Sequence, residues 1–123
     1  MPAKYLALLF LLLAPACEDS TAPARDEFTI QTTGEEIVLS NAADKPVFYF
    51  IVERQTAALL DFATCVQGRD CKSVAPGQTV RIPYRQIAGY KPERKEAIVY
   101  WWTTVLAATG PRVDKLRSQV VEL

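Results

Sequence analysis

The chain of 123 residues contains no histidine, only five glycines, and no excess of charge of either sign. Histidine is the commonest general base and transition-metal ligand, so its absence excludes Ser/His/Asp and Cys/His nucleophile systems and argues against a metal site. The glycines are scattered, which leaves no glycine-rich loop to cradle a phosphate. Basic and acidic residues number 14 each, so nothing indicates nucleic-acid binding. We therefore expect no cofactor, no metal and no nucleic-acid partner.

The chain also lacks an apolar run of the roughly 20 residues that a membrane-spanning helix needs. Its longest run, nine residues from Tyr5 to Leu13, follows a single positive charge at Lys4 and ends at the small residues Ala14 and Ala16. A short basic start, a short apolar core and an Ala-x-Ala end are typical of secretory signal peptides. The sequence therefore predicts that residues 1–16 direct export.

A cysteine follows this segment directly. The sequence LAPAC, residues 13–17, resembles the lipobox of bacterial lipoproteins, in which a signal peptidase cuts before a cysteine that carries lipid. The family usually has leucine three residues before the cysteine; here Ala14 holds that position and Leu13 lies one residue earlier. The resemblance implies that Cys17 is a lipid anchor, that residues 17–27 are anchor and flexible tether, and that the protein is held on the periplasmic or outer face of an envelope membrane. Cleavage by the ordinary signal peptidase is the alternative.

The other two cysteines lie six residues apart in CVQGRDC, with Gly68 and polar residues between them. A turn there can bring the Cα atoms of Cys65 and Cys71 within bridging range, and an oxidising compartment favours the bond. Such a disulfide contributes about 2–3 kcal/mol in the loop-entropy model. A zinc site is the rival use, but two sulfurs without histidine are too few, and redox-active pairs are more often Cys-x-x-Cys.

Alternation of apolar and polar residues predicts strands throughout the domain, residues 28–123. The segments are FTIQT (28–32), EIVLSN (36–41), VFYFIVE (47–53), TVRIPY (79–84), EAIVYWWTTVLA (96–107) and VDKLRSQVVEL (113–123). We expect the third to be buried on both faces, and Pro83 to place the fourth at a sheet edge or bulge. Residues 54–64 are predicted as a strand or irregular edge segment, with a short helix as the alternative. About seven short strands favour an antiparallel β-sandwich of immunoglobulin-like size; a small β-barrel is the alternative.

The acids nearest the central strand and the bridge are Glu53, Asp61 and Asp70, and nothing in their spacing brings two of them together. We expect them to face water at strand ends and turns, with a carboxylate-only enzyme as the remote alternative. In YWW, residues 100–102, Trp101 points away from the face shared by Tyr100 and Trp102. A buried core tryptophan is the main expectation here, and a sugar-stacking Trp102 is the alternative.

A charged loop, KPERKE, follows Tyr90. With Trp102, the residues Tyr90, Arg94 and Lys95 form the candidate ligand or partner surface, and a solvated loop is the alternative for the charged residues. We expect a non-catalytic binding or structural accessory module whose partners are the membrane, through lipid on Cys17, and an envelope protein or polysaccharide. The second hypothesis is a secreted carbohydrate-binding or enzyme-inhibitor domain.

Overall fold

The structure is a computed structural model that describes residues 27–66 and 71–123; the predictions for residues 1–26, including Cys17, and for Asp70 lie outside these residues. The described part contains, in chain order, β1 (Phe28–Thr32), β2 (Glu36–Asn41), β3 (Val47–Glu53), α1 (Arg54–Ala57), β4 (Ser73–Val74), β5 (Thr79–Pro83), a 3-10 helix (Tyr84–Gln86), β6 (Glu96–Ala107) and β7 (Gly110–Glu122). None of its helices is long and apolar enough to cross a membrane.

The seven strands of the described residues form two antiparallel sheets, one in the order β1-β2-β5 and the other in the order β4-β3-β6-β7. The predicted fold class, a small β-sandwich, is confirmed, and the alternative of a small barrel is wrong because the two sheets do not close on each other. β5 ends at Pro83 on the edge of its sheet, as expected for a residue that cannot donate to a ladder.

The hydrophobic core lies between the two sheets. Alternation along each strand turns one set of side chains inward, and the most deeply buried of these side chains include Ile37, Leu39, Val74, Ala97 and Val99, which are 0% exposed. Trp101 shares the inner face of β6 with Ala97 and Val99 and stacks on Phe28, with 5.5 Å between ring centroids. The inward set follows the period-two pattern of the sequence.

The segment after β3 differs from the prediction. Residues 54–57 form one helical turn, α1, so the alternative of a short helix is correct for them, and the predicted strand is wrong. The described residues from 60 to 66 have no regular structure, as the irregular prediction has it. The seventh strand is instead β4, a two-residue strand that pairs with Val47 and Phe48 at the start of β3. A strand this short carries too few residues to show an alternating pattern.

The predicted disulfide is present between Cys65 and Cys71, with 5.5 Å between their Cα atoms. The segment that leads to it crosses the outer face of the four-stranded sheet. There Phe62 packs against the rings of Phe50, Tyr100 and Trp102 at centroid distances of 4.6, 5.0 and 6.3 Å. β3 is therefore covered on both faces, as its continuous apolar sequence indicates.

Candidate functional site

A cleft of about 730 Å³ opens at the end of the sandwich where β3 ends and β6 begins. We call it the charged cleft because seven of its nine lining residues carry ionisable side chains. The lining residues are Glu53, Arg54, Gln55, Glu93, Arg94, Lys95, Glu96, Glu122 and Leu123. The cleft contains three residues that the sequence singled out, namely Glu53, Arg94 and Lys95.

The buried acid of the cleft is Glu53, which is only 1% exposed. Alternation along β3 turns Glu53 to the same inner face as Val47 and Ile51, so its carboxylate enters the protein where the strand ends. The expectation that Glu53 faces water is therefore wrong, whereas Asp61 is exposed as expected. The position of Glu53 in the alternating pattern was the available sequence signal.

Four donors satisfy the Glu53 carboxylate. The backbone N–H of Gln55 donates to Oε2 at 2.7 Å, and the backbone N–H and the Oγ1 hydroxyl of Thr56 donate to Oε1 at 2.9 and 2.8 Å. The fourth donor is Arg94, whose Nη1 lies 2.9 Å from Oε1. Glu53 thus caps the N-terminus of α1 and at the same time holds the loop that follows Tyr90.

These contacts determine the protonation state of Glu53. Burial by itself raises the pKa of the carboxyl group, but the hydrogen bonds from Gln55 and Thr56 and the positive charge of Arg94 outweigh burial and lower the pKa to about 2. A general acid or base works best with a pKa near the operating pH. Glu53 is ionised and fully hydrogen-bonded at neutral pH, so it serves as a structural carboxylate of the cleft.

The candidate ligand surface predicted from the sequence is not a single surface. Arg94 and Lys95 line the charged cleft, whereas Tyr90 is partly buried and packs against Tyr84, with 5.9 Å between ring centroids. Arg94 binds Glu53, and Arg54 forms a second ion pair of 2.8 Å with Glu96 across the same cleft. The sequence pattern did not indicate that ion pair, because its partners are 42 residues apart.

Trp102 lies away from these residues. Its side chain is 3% exposed and its Nε1 donates a hydrogen bond of 2.8 Å to the backbone carbonyl of Cys65. The main expectation, a buried tryptophan, is therefore correct for Trp102, and the alternative of a ligand-facing Trp102 is wrong. The physical reason is the disulfide-bonded segment, which covers the outer face of the sheet where Trp102 points.

A second opening, of about 290 Å³, lies at the other end of the sandwich, where the described chain begins. Its lining includes Glu27, Phe28, Trp101, Lys115 and Arg117. It sits at the base of a hairpin formed by the last part of β6 and the first part of β7. Trp101 and Trp102 both border this opening, and the partly buried indole of Trp101 also packs against the core between the sheets.

Comparisons of the chain with protein-family models, with curated proteins and with solved structures return no match.

Proposed function

We propose that this protein is a lipid-anchored β-sandwich of the bacterial cell envelope that acts as a non-catalytic binding or structural accessory module. The observation that carries the proposal is the disulfide between Cys65 and Cys71. Disulfides persist in oxidising compartments outside the cytosol, which agrees with export directed by residues 1–16. Cys17 then stands at the junction between the signal segment and the tether, the position that bacterial lipoproteins use for their lipid.

The binding role is supported by the state of the charged cleft. Its buried acid, Glu53, accepts hydrogen bonds from the N-terminus of α1 and from Arg94, so this carboxylate stabilises the architecture of the cleft. A ligand in the cleft would contact charged side chains at its rim, such as the exposed Lys95. An envelope protein or polysaccharide remains the proposed class of partner.

The second candidate, a secreted carbohydrate-binding or enzyme-inhibitor domain, would use a loop or the ring of Trp102. That ring is buried, and sugar stacking needs an exposed aromatic face. The proposal of an anchored module therefore takes precedence.

The anchor is tested by the intact mass of the protein purified from membranes of the bacterium that produces it. The expected mass is that of residues 17–123 plus a diacylglyceryl group on the sulfur of Cys17. A further acyl chain adds to this mass if the amino group of Cys17 is acylated as well. The Cys17→Ser variant serves as the control and should leave the membrane fraction. A wild-type protein with an unmodified Cys17 thiol would refute the proposal. Thiol counting on the denatured protein, with and without reductant, tests Cys65 and Cys71 in the same sample.

A further inference from the structure

Strand β7 forms a long free edge of the larger sheet. β6 pairs with one side of β7, and no other strand of the described residues pairs with its opposite side. The side chains of residues 114–120 are all exposed, although alternate side chains point to opposite faces of the sheet. The smaller sheet therefore does not overhang this part of β7, and a further strand can lie beside it without meeting the other sheet.

The pairing with β6 determines which backbone groups of β7 point to the free edge. The N–H of Leu123 donates to the carbonyl of Lys95, on the side of β6. The backbone groups of successive residues point alternately to the two sides of a strand, and the register with β6 is continuous after the bulge. Leu116, Ser118 and Val120 therefore direct their N–H and C=O groups to the free edge, where they are available to an added strand.

The exposed apolar side chains of β7 lie on the outer face of the sheet. Leu116 and Val120 are 51% and 45% exposed, and they pair with Trp102 and Ile98 of β6. Ser118 lies between them on the same face. An antiparallel copy of β7, related by a two-fold axis at Ser118, therefore places Leu116 of each copy opposite Val120 of the other.

The positive charges on the other face of β7 favour this position of the axis. An axis at Arg117 would set the two Arg117 side chains opposite each other, and an axis at Leu116 would set Lys115 opposite Arg117. Like charges directly opposite each other destabilise a strand pair. With the axis at Ser118, Arg117 of each copy lies opposite the uncharged Gln119, and the two Arg117 side chains are diagonal neighbours that both remain in water.

The acidic residues of β7 limit the pairing at its ends. Asp114 is the extra residue of β7 where the register with β6 shifts, and its counterpart in the second copy would be Glu122. A bulge interrupts a regular ladder, so the pairing covers residues 115–121 and stops before these two acids. An axis one residue further along, at Gln119, would instead place the apolar Leu116 opposite Glu122.

We propose that β7 pairs with β7 of a second copy of this chain, antiparallel and with the two-fold axis at Ser118, so that the two larger sheets form one sheet of eight strands. Leu116, Ser118 and Val120 of the two copies then exchange about six backbone hydrogen bonds. Leu116 and Val120 become covered by each other on the outer face, next to Trp102 and Ile98. The dimer uses neither Cys17 nor the charged cleft, so it stands independently of the proposed anchor.

Trapping by a disulfide tests the register. The full chain carries Cys17→Ser, so that an introduced thiol is the only one outside the bond between Cys65 and Cys71. With the axis at Ser118, the two Cα atoms at this position are about 5.5 Å apart, within the range that a disulfide bridges. Leu116→Cys is a control on the same face, because its two Cα atoms are roughly 14 Å apart in this register.

Under mild oxidation by copper phenanthroline, we expect Ser118→Cys to give at least about fivefold more covalent dimer than Leu116→Cys or Val120→Cys alone. Mixing the Leu116→Cys and Val120→Cys proteins should restore covalent dimer, because the register places these two positions opposite each other. This second arm does not depend on the behaviour of the Ser118→Cys variant.

Sedimentation equilibrium tests the dimer without a cross-link. A contact limited to one strand per copy is small, so we expect the average mass of the Cys17→Ser protein to rise towards that of a dimer between about 10 μM and 1 mM. Ser118→Lys sets two cations opposite each other and should keep the protein monomeric. Thr29→Lys is the matched control, because Thr29 is exposed on β1 at an edge of the smaller sheet, and it should leave the dimer unchanged.

Three outcomes would overturn the inference. The first is a Ser118→Cys protein that gives no more covalent dimer than Leu116→Cys, since the axis would then lie elsewhere. The second is an equal loss of dimer in Ser118→Lys and Thr29→Lys, which would mean that the contact does not use the edge of β7. The third is the mass of a monomer at every concentration, which would leave this edge to a different protein.

Discussion

At the scale of single residues, two buried polar side chains hold the ends of the sandwich together. Asn41 is 2% exposed at the end of β2, and its Nδ2 donates to the carbonyl oxygens of Lys45 and Val74, each at 2.9 Å. Its Oδ1 accepts from the N–H of Ala43. Asn41 therefore links the three-stranded sheet to β4 in the other sheet. At the opposite end, Glu53 joins α1 to the loop that carries Arg94.

We predict that Asn41→Ala destabilises the protein by about 1–3 kcal/mol, because buried backbone groups lose their hydrogen-bond partners. The measurement is the free energy of unfolding in urea. Ser40→Ala is the matched control, because the hydroxyl of Ser40 shares a hydrogen bond at the surface with the hydroxyl of Thr79. The expected change in the free energy of unfolding is below about 1 kcal/mol. Equal effects of the two substitutions would contradict the structural role of Asn41.

Glu53 predicts a pH dependence of stability. Its pKa is about 2 in the folded protein and is lowered from an ordinary value of 4.5, so folding favours the ionised form. The resulting stabilisation is fully present above the ordinary pKa and is lost as the pH falls through the folded pKa. Unfolding free energies measured between pH 6 and pH 2 should therefore fall more steeply for the wild type than for Glu53→Gln.

Glu36→Gln is the control for Glu53→Gln, because it removes a carboxylate whose ion pair with Arg81 lies at the surface. We expect this control to keep the slope of the wild type between pH 5 and pH 2. If Glu53→Gln and the wild type had the same slope, the hydrogen bonds to the carboxylate would not govern its ionisation.

At the scale of elements, α1 packs against the segment that follows the 3-10 helix. Gly89 has φ of 78°, and a Cβ atom there would overlap the side chain of Thr56. Gly77 has nearly the same φ, 76°, with nothing within 4 Å of the added atom. Substitutions at these two glycines therefore distinguish the cost of backbone strain, present at both, from the cost of steric overlap, present at Gly89.

We expect Gly77→Ala to lower the free energy of unfolding by about 1–2 kcal/mol, the penalty of the left-handed conformation. Gly89→Ala should lower it more. Because Thr56 also bonds Glu53, the second substitution should displace the cap of α1 as well. Urea unfolding of the two variants makes the comparison. A smaller loss for Gly89→Ala than for Gly77→Ala would show that α1 moves aside freely.

The disulfide-bonded segment is the element that covers the outer aromatic rings. Replacing Cys65 and Cys71 together with serine should lower the free energy of unfolding by about 2–3 kcal/mol. It should also increase the quenching of tryptophan fluorescence by acrylamide. The reason is that this segment covers Trp102, whose Nε1 donates a hydrogen bond to the backbone carbonyl of Cys65. Loss of stability with unchanged quenching would mean that the segment stays in place without the bond.

At the scale of the whole molecule, the sandwich and the hairpin of residues 103–115 should contribute unequally to stability, because β6 pairs there with β7 and no longer with β3. Replacing residues 105–112 with an Asn-Gly turn removes the exposed Leu106 and retains the pair between Thr104 and Val113. We expect a change below about 1 kcal/mol. By contrast, Leu39→Ala, at a position 0% exposed between the sheets, should cost about 2–5 kcal/mol. Equal losses would indicate that the hairpin belongs to the cooperative core.

Several strands were predictable because alternation is a local property. The segments 28–32, 36–41, 47–53 and 96–107 coincide with β1, β2, β3 and β6. In β7 the same alternation predicts a strand, but its apolar face does not reach the core: Leu116 and Val120 are 51% and 45% exposed. Leu116 and Val120 pair with Trp102 and Ile98, so they lie on the outer face of the larger sheet, whereas Val121, which pairs with the inward Ala97, is 7% exposed.

By itself, the sequence determined six of the seven described strands, the sandwich class and the bond between Cys65 and Cys71, since these follow from the residue pattern along each strand and from short spacing along the chain. Tertiary structure alone decided the burial of Trp102 and the projection of the hairpin that carries Leu106, and it placed Arg94 on Glu53. Each of these depends on segments far apart in sequence: a local pattern gives the face of a strand to which a side chain points, and only the folded chain determines what covers that face.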